Sequence, residues 1–192
     1  QVVGTGARAL ETRSPAPHWF EQDGTHWWTA TNEAITQALE ELPDPRAVAA
    51  VCITHQRESF VCLDEDGIPI RPAILWMDGR AAAEARSYGT HRVELLSGKP
   101  ADITPGLYKL LWLRDREPDT MARCHRVADV HSYLVHAMTG RWVSSTASVD
   151  PLAVIDQATG DYSDELLGLA GGRREQLPDL VATGVSLGPV RP

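Results

Sequence analysis

The stretch Val51-Cys-Ile-Thr-His-Gln-Arg-Glu-Ser-Phe-Val-Cys-Leu-Asp64 is the part of this sequence that decides the fold class. Two short apolar runs, Val48–Thr54 and Phe60–Leu63, stand on either side of a polar segment that begins at His55. Short apolar runs rich in Val, Ile and Cys are typical of buried strands. We therefore predict two strands joined by a polar segment.

The polar segment carries Gln56, Arg57 and Glu58. A charged group beside a buried strand is costly unless a partner or a ligand satisfies it. Arg57 offers a planar fork of donors and Glu58 offers two acceptor oxygens, a combination that suits the vicinal hydroxyls of a sugar or polyol. The residue types alone favour a simpler alternative, in which the two side chains form an ion pair with each other.

A second stretch, Ala73-Ile-Leu-Trp-Met-Asp-Gly-Arg80, shifts the balance toward a ligand site. A short apolar run ends there in Trp76 and Asp78, and Gly79 allows a sharp change of direction. An indole face can pack on the C–H side of a sugar while charged groups bind its hydroxyls. We expect the two stretches to form one wall of a pocket.

The rest of the chain alternates between strand-like and helix-like segments, which predicts an α/β domain. We expect a partial strand at Gln1–Glu11, a loop at Thr12–Gly24, a turn at Glu65-Asp66-Gly67 and a short buried strand at Val127–Ala128. We predict five helices, three of which are closed by a Gly or Pro stop signal. They are Thr25–Leu42, Gly79–Leu96, Gly106–Asp115, Asp119–Arg123 and Val130–Thr139, the last of which ends at Gly140.

Composition restricts the class of protein and its partners. The chain has 192 residues, of which 43% are apolar, so it can bury a core as one domain. Its net charge of -8 argues against a nucleic-acid backbone as a partner. No segment approaches the length of a membrane span, and the first residues do not resemble a signal peptide. We expect a cytoplasmic protein with small buried thiols at Cys52 and Cys62.

Three further features suggest ligand sites but have simpler interpretations. The segment Val3-Gly4-Thr5-Gly6 lacks the helix that follows a phosphate loop. His131 and His136 are five residues apart, whereas metal ligands on one helix face are three or four apart. Trp19 and Trp27 lack the basic track of a single-strand binder, so packing in the core or in a loop is favoured.

Four motifs in register resemble the first actin-like domain of the FGGY family of carbohydrate kinases. They are Thr54-His-Gln-Arg-Glu58, Ala73-Ile-Leu-Trp-Met-Asp-Gly-Arg80, Pro105-Gly-Leu-Tyr-Lys-Leu-Leu-Trp112 and His131-Ser-Tyr-Leu-Val-His-Ala-Met-Thr-Gly140. The likeness runs from about Thr12 to Pro189. It implies an α/β, actin-like ATPase (ribonuclease H-like) domain, with a mixed sheet flanked by helices.

The resemblance assigns roles to several residues. The element Gln56-Arg57-Glu58 is similar to glycerol kinases, whose Arg-Glu pair hydrogen-bonds substrate hydroxyls. Trp76 would line the carbon skeleton of the sugar. Asp78 matches an Asp that follows this Trp in xylulokinases. The chain combines the glycerol-kinase pattern with the xylulokinase pattern, so the resemblance does not specify which substrate is bound.

Other positions of the family's sugar site match less well. A Tyr that contacts substrate in glycerol kinases falls near Thr104 in this register, which is a departure from the glycerol pattern. Ser148 and Asp150 fall where the family closes its sugar site with small polar side chains.

The family implies ATP-dependent phosphorylation of a primary hydroxyl of a ketose or polyol, with Mg²⁺ and a carboxylate base. The resemblance places an Asp-x-Gly-Thr strand before Gln1, and the base Asp and a second, ATP-binding domain beyond Pro192. We therefore expect residues 1–192 to be the sugar-binding, N-terminal part of a larger kinase, whose parent could form a homodimer. No catalytic residue, ATP loop or metal ligand is expected within it.

Two other classes of protein remain open. One is a non-catalytic sugar-binding or regulatory module, or a degenerate kinase fragment, that has the pocket without the phosphate loops. The other is an α/β scaffold in which the strand-end charges only stabilise the fold and the domain acts as an interaction surface.

Overall fold

Four short strands form the main sheet of the protein, in a computed structural model that describes residues 1–191. Their order is β1-β3-β2-β4, and each pair of neighbours is antiparallel. A separate parallel pair consists of β5 and β6. The strands are β1 (Glu21–Gln22), β2 (Phe60–Leu63), β3 (Ala73–Ile74), β4 (Arg126–Asp129), β5 (Val143–Ser145) and β6 (Asp179–Val181).

Eight α-helices surround these strands in residues 1–191. They are α1 (Thr25–Glu40), α2 (Ala82–Tyr88), α3 (His91–Ser97), α4 (Gly106–Arg116), α5 (Pro118–Arg123), α6 (Val130–Thr139), α7 (Thr146–Val149) and α8 (Asp164–Leu169). Short 3₁₀ turns lie at Pro45–Ala47, Asp150–Leu152 and Arg174–Gln176.

The strand β2 is the centre of the core and is buried on both faces. Phe60 and Cys62 belong to one apolar cluster, which includes the buried face of α4. Val61 and Leu63 belong to the other, which includes residues of α1 and α6. This alternation is the two-residue period of a strand. Trp27 of α1 is buried in the second cluster, which confirms the prediction that it packs in the core.

Local signals in the sequence explain where several helices begin and end. In α6, the Asp129 side chain accepts a hydrogen bond from the backbone N–H of Ser132, and the helix ends at Gly140 with φ of 76°. The stop predicted at Gly140 is therefore confirmed. The single helix predicted for Gly79–Leu96 is wrong, because the chain breaks into α2 and α3. Thr90 caps α3 by accepting a hydrogen bond from Val93, which starts a new helix at that point.

The run Val48–Thr54 is not a strand, which corrects the prediction that opened the sequence argument. Both edges of β2 are already paired, with β3 and with β4. The run therefore has no place beside β2, and Val51 is 53% exposed. The prediction of a buried thiol is wrong for Cys52, which lies in this exposed run, and confirmed for Cys62.

The segment Gln1–Glu11 is not a strand either, because it packs against a helix. Gly4 and Gly6 allow this close approach to α1: a Cβ atom on Gly6 would lie 1.9 Å from the carbonyl oxygen of Ala34. The Arg8 guanidinium also binds the Glu33 carboxylate of α1, at 2.8 Å. The glycines of this segment therefore serve packing.

Five charged side chains, of which all but Glu117 are largely buried, form a network beside the main sheet. Arg80 donates from Nε and Nη2 to the two carboxylate oxygens of Asp78, at 2.8 Å each, and from Nη2 to Glu21 at 2.8 Å. Arg71 links Glu21 and Glu117, at 2.7 Å and 3.0 Å. Paired charges with these hydrogen bonds offset much of the cost of leaving water.

The network holds the loop before β1 against the loop after β3. Asp78 also accepts a hydrogen bond from the backbone N–H of Phe20. The Arg80 guanidinium lies over the ring of Trp19, 4.0 Å from its centroid. Asp78 is therefore bound on both oxygens and shapes the chain around it.

We predict that Asp78→Ala lowers the free energy of unfolding by about 3–5 kcal/mol, because Arg80 keeps a buried charge without its two-oxygen partner. Urea unfolding followed by circular dichroism measures the change. Arg92→Ala is the control, since it removes the exposed ion pair of Arg92 with Glu165 and should barely move the midpoint. Equal effects of the two substitutions would contradict this role of the network.

Candidate functional site

Three segments of the chain meet at one end of the main sheet. Phe60 at the start of β2 pairs with Ile74 at the end of β3 and with Asp129 at the end of β4. Because neighbouring strands are antiparallel, the residues just before β2 and just after β3 and β4 lie at the same end of the sheet. Glu58, just before β2, and Trp76, just after β3, therefore lie at the same end of the sheet.

Arg57 and Glu58 are not paired with each other, in contrast to the simpler alternative. Among residues 1–191, neither side chain forms a hydrogen bond or an ion pair. Arg57 is exposed and Glu58 is half-buried. Loss of water raises the pKa of the Glu58 carboxyl, and the positive charges of Arg57 and Lys109 oppose this change. A donor fork and an acceptor are thus both open to a ligand.

The backbone of Glu58 is strained, with φ of 63°. A side chain other than glycine in this left-handed region costs about 1–2 kcal/mol. The next residue holds the conformation in place: the hydroxyl of the buried Ser59 accepts a hydrogen bond from the backbone N–H of Trp76, at 2.9 Å. Strain of this kind is found preferentially at binding and catalytic loops.

The other predicted site residues lie around this loop. Trp76 is 41% exposed as a residue, which leaves its side chain accessible for packing. Gln56 is half-buried, and its carbonyl oxygen lies 2.9 Å from Nδ1 of His55. Thr104 is half-buried in the loop before α4.

Three of the predicted sugar contacts are hydrogen-bonded to other residues of the protein: Asp78, Ser148 and Asp150. Asp78 has no exposed surface, and both of its oxygens are bonded within the network that contains Arg80. Ser148 is buried and bonded to Ser145. Asp150 binds Lys99 and the side-chain amide of Gln157. The polar groups of these three side chains are therefore engaged within the protein.

Lys109 also lies in this region, and its residue type alone predicted no role for it. It lies in the first turn of α4 with no exposed surface, and Nζ donates to the carbonyl oxygens of Trp76 at 2.9 Å and Thr104 at 3.0 Å. Burial lowers the pKa of its ammonium from 10.5 to about 8, although the nearby carboxylates of Asp78 and Glu58 favour the charged form. The signal in the sequence was a single cation inside the apolar run Leu107–Leu113.

Two histidines also meet at this end of the sheet, and His131 is half-buried there. The rings of His55 and His131 lie 5.6 Å apart between centroids. Nδ1 of His131 is 3.1 Å from the Ser144 hydroxyl, which donates to Asp129 at 3.2 Å. Burial lowers the pKa of His131. The histidines add polar groups beside the Arg57–Glu58 loop.

Comparisons with known proteins identify the family. The model for the FGGY family of carbohydrate kinases, N-terminal domain, matches residues 1–192. The chain is 32% identical over 185 residues to a xylulose kinase of Escherichia coli (strain K12), covering 94% of this chain and 37% of that protein. It is 28% identical over 188 residues to a glycerol kinase of Thermococcus gammatolerans, covering 93% and 38%. A crystal structure of a xyloylose kinase from Brucella ovis matches with a TM-score of 0.91 and 27% identity, over 98% of this chain and 39% of that one.

The strands and helices form an α/β domain of the actin-like, ribonuclease H-like class, which confirms the predicted fold. The chain belongs to the FGGY family of carbohydrate kinases. It spans less than half the length of the relatives named above.

The residues described do not fit a site for the ATP and Mg²⁺ that the family implies. A phosphate loop presents free backbone amides ahead of a helix, whereas Val3-Gly4-Thr5-Gly6 is packed along α1. Among residues 1–191, no three His, Cys, Asp or Glu side chains are placed to hold a metal ion.

The strain at Glu58 predicts an unusual order of stability. Glu58→Gly should be more stable than Glu58→Ala by about 1 kcal/mol, because only glycine adopts φ of 63° without strain. Guanidinium unfolding of the two variants measures the difference. The same pair of substitutions at Glu33, inside helix α1, should give the reverse order. Greater stability of the alanine variant at position 58 would contradict the strain.

The buried ammonium of Lys109 predicts a dependence of stability on pH. Its pKa is about 8 in the folded chain and near 10.5 when exposed, so the unfolded chain binds more protons between these values. The free energy of unfolding, measured relative to Lys109→Met, should therefore rise by up to about 3 kcal/mol from pH 8 to 10.5.

Denaturant unfolding of both proteins at each pH measures this difference. Subtracting the Lys109→Met values removes the contributions of other groups, such as the tyrosines, that titrate in the same range. The groups that face Lys109 are Asp78, Glu58, Arg80 and Asp102. A difference that stays constant over this range would contradict the lowered pKa.

Proposed function

We propose that this chain is the sugar-binding domain of an ATP-dependent kinase that phosphorylates a primary hydroxyl of a xylulose-like ketose or a glycerol-like polyol. The observation that supports it most is the Arg57–Glu58 pair. Both side chains are without partners among residues 1–191, and they stand at the same sheet edge as the exposed indole of Trp76. The names of the relatives supply the substrate class.

The chemistry of binding follows from these groups. Glu58 accepts a hydrogen bond from one hydroxyl of the ligand, and Arg57 donates to a neighbouring hydroxyl. Trp76 packs on the apolar face of the carbon chain. Gln56 and Thr104 border the same site. A site with such polar groups discriminates strongly against analogues that lack a hydroxyl, since a charged group would then lose its partner.

Phosphoryl transfer belongs to the proposal as a property of a longer protein. ATP and Mg²⁺ would bind outside residues 1–192, where the family resemblance places the base Asp and the second domain. Homodimer formation by that protein stays a prediction.

The proposed cellular setting rests on general features of the chain. Its three cysteines form no disulfide, which supports a reducing, cytoplasmic compartment. Among the residues that the structure describes, no helix has the length and apolar character needed to span a bilayer. The net charge of -8 supports a small molecule, and not nucleic acid, as the ligand.

Calorimetric titration with xylulose, xylitol and glycerol tests the proposal. We expect the folded chain to bind at least one of them, and Arg57→Ala to weaken that binding by about 1.5–3 kcal/mol, because a hydrogen bond from a charged donor to a ligand hydroxyl is lost. Arg46→Ala, at another exposed arginine, is the matched control and should bind normally. Failure of the folded wild-type chain to bind any of the three would contradict the proposal.

Binding should also depend on pH through Glu58. Its pKa is raised above 4.5, and the charged form is the acceptor for the sugar. Affinity should therefore be complete at neutral pH and fall as the pH drops through this raised pKa. Dissociation constants measured from pH 4 to 8 show the effect, and Glu58→Gln should give a weaker, flat profile. A wild-type profile that is equally flat would rule out this role for the carboxylate.

A further inference from the structure

Lys109 is a buried cation whose ammonium contacts residues of the candidate sugar site, and its burial needs an explanation. Its side chain has no exposed surface. Removing an ammonium from water is costly, and a charged partner usually compensates for it. Lys109 forms no ion pair with any carboxylate in residues 1–191, and its two hydrogen bonds go to neutral carbonyl oxygens. A lysine here stabilises the fold less than an apolar side chain of similar size would, because its charge has to leave water.

The two carbonyl groups belong to residues of the candidate sugar site. Trp76 follows β3 and Thr104 precedes α4, and the Lys109 ammonium joins the two, at 2.9 Å and 3.0 Å. The backbone of Trp76 is held on its other side by Ser59, which follows Glu58 directly. One chain of hydrogen bonds therefore runs from the Glu58 loop through Trp76 and Lys109 to Thr104.

We propose that Lys109 is a positioning residue of the sugar site, which fixes the backbones of Trp76 and Thr104 relative to Glu58 so that all three face one ligand. This inference rests on the proposed function. Because Lys109 has no exposed surface, it touches no ligand in this conformation and acts through the residues it holds. Groups that bind a ligand in a defined geometry depend on such supporting contacts.

The charge of Lys109 adds to this role. An ammonium has three donors, and two of them are used by the carbonyl groups. The carboxylates of Glu58 and Asp78 lie close enough to favour its charged form, and Lys109 in turn favours the charged form of Glu58. The residue that aligns the site thus also favours the form of Glu58 that accepts a hydroxyl.

The substitution Lys109→Met tests the proposal, because it keeps the length of the side chain and removes its donors. We expect the dissociation constant for the sugar bound by the wild-type chain to rise by at least about tenfold, as a misplaced binding group loses affinity steeply. Lys109→Gln, which keeps donors without the charge, should lose less. It also serves as the second variant if Lys109→Met does not fold.

A matched control separates positioning from general stability. Gln176 is also buried, bonding through its side chain to the carbonyl of Cys124 and to the N–H of Arg173, beside the opposite end of β4. Gln176→Met removes these bonds and should leave sugar affinity unchanged in folded protein. An equal loss of affinity in Gln176→Met and Lys109→Met would overturn the proposal.

A double-mutant cycle with Trp76→Ala supplies a readout that a purely structural role would not move. If Lys109 acts by placing Trp76, then Lys109→Met should weaken binding much less in the Trp76→Ala background than in the wild type. If the losses of binding free energy from the two substitutions are strictly additive, Lys109 does not act by placing Trp76.

The outcomes separate the two proposals. Binding by the wild-type chain with unchanged affinity in Lys109→Met and Lys109→Gln overturns the positioning role alone. Absence of binding by the wild-type chain overturns the proposed function and this inference with it.

Discussion

The pairing of Phe60 with Ile74 on one side and with Asp129 on the other is the constraint on which the candidate site depends. It brings three segments that are distant in sequence to one edge of the sheet. A slip of one residue in either pairing would turn the side chains of β2 to the opposite faces. The two apolar clusters prevent this, because Phe60 and Cys62 must enter one of them while Val61 and Leu63 enter the other.

The candidate site at this end of the sheet contains several features that lower the stability of the folded chain. Glu58 has a strained backbone and a carboxyl that has lost part of its water, and Lys109 is a buried cation bonded to neutral groups. The nearby network of Asp78 and Arg80 has the opposite character, since its charges are paired and hydrogen-bonded. Features of the first kind are expected where a protein binds a ligand, and rigid surroundings are needed to maintain them.

Several strands and helices could be predicted from the sequence, because local patterns specify them. The apolar run of β2 and the helical period of α1 were sufficient, as was the glycine after α6. The meeting of the Arg57–Glu58 loop with Trp76 was also predicted, since both stretches stand at strand ends.

The errors arise where a contact distant in sequence decides the outcome. Val48–Thr54 has the composition of a strand, but composition does not show that both edges of β2 are occupied. Asp78 has the residue type of a sugar contact, but both of its oxygens are hydrogen-bonded by Arg80 and the backbone N–H of Phe20. Lys109 was given no role because only the fold shows that its ammonium reaches two loops.

The most direct measurement of the central claim is a titration of the isotope-labelled chain with xylulose or glycerol, followed by nuclear magnetic resonance of the amide and indole N–H groups. We expect the largest shifts to fall on Arg57, Glu58, Ser59 and the indole of Trp76. Shifts centred instead on the groove between α3 and α8, around Val93 and Leu166, would contradict it.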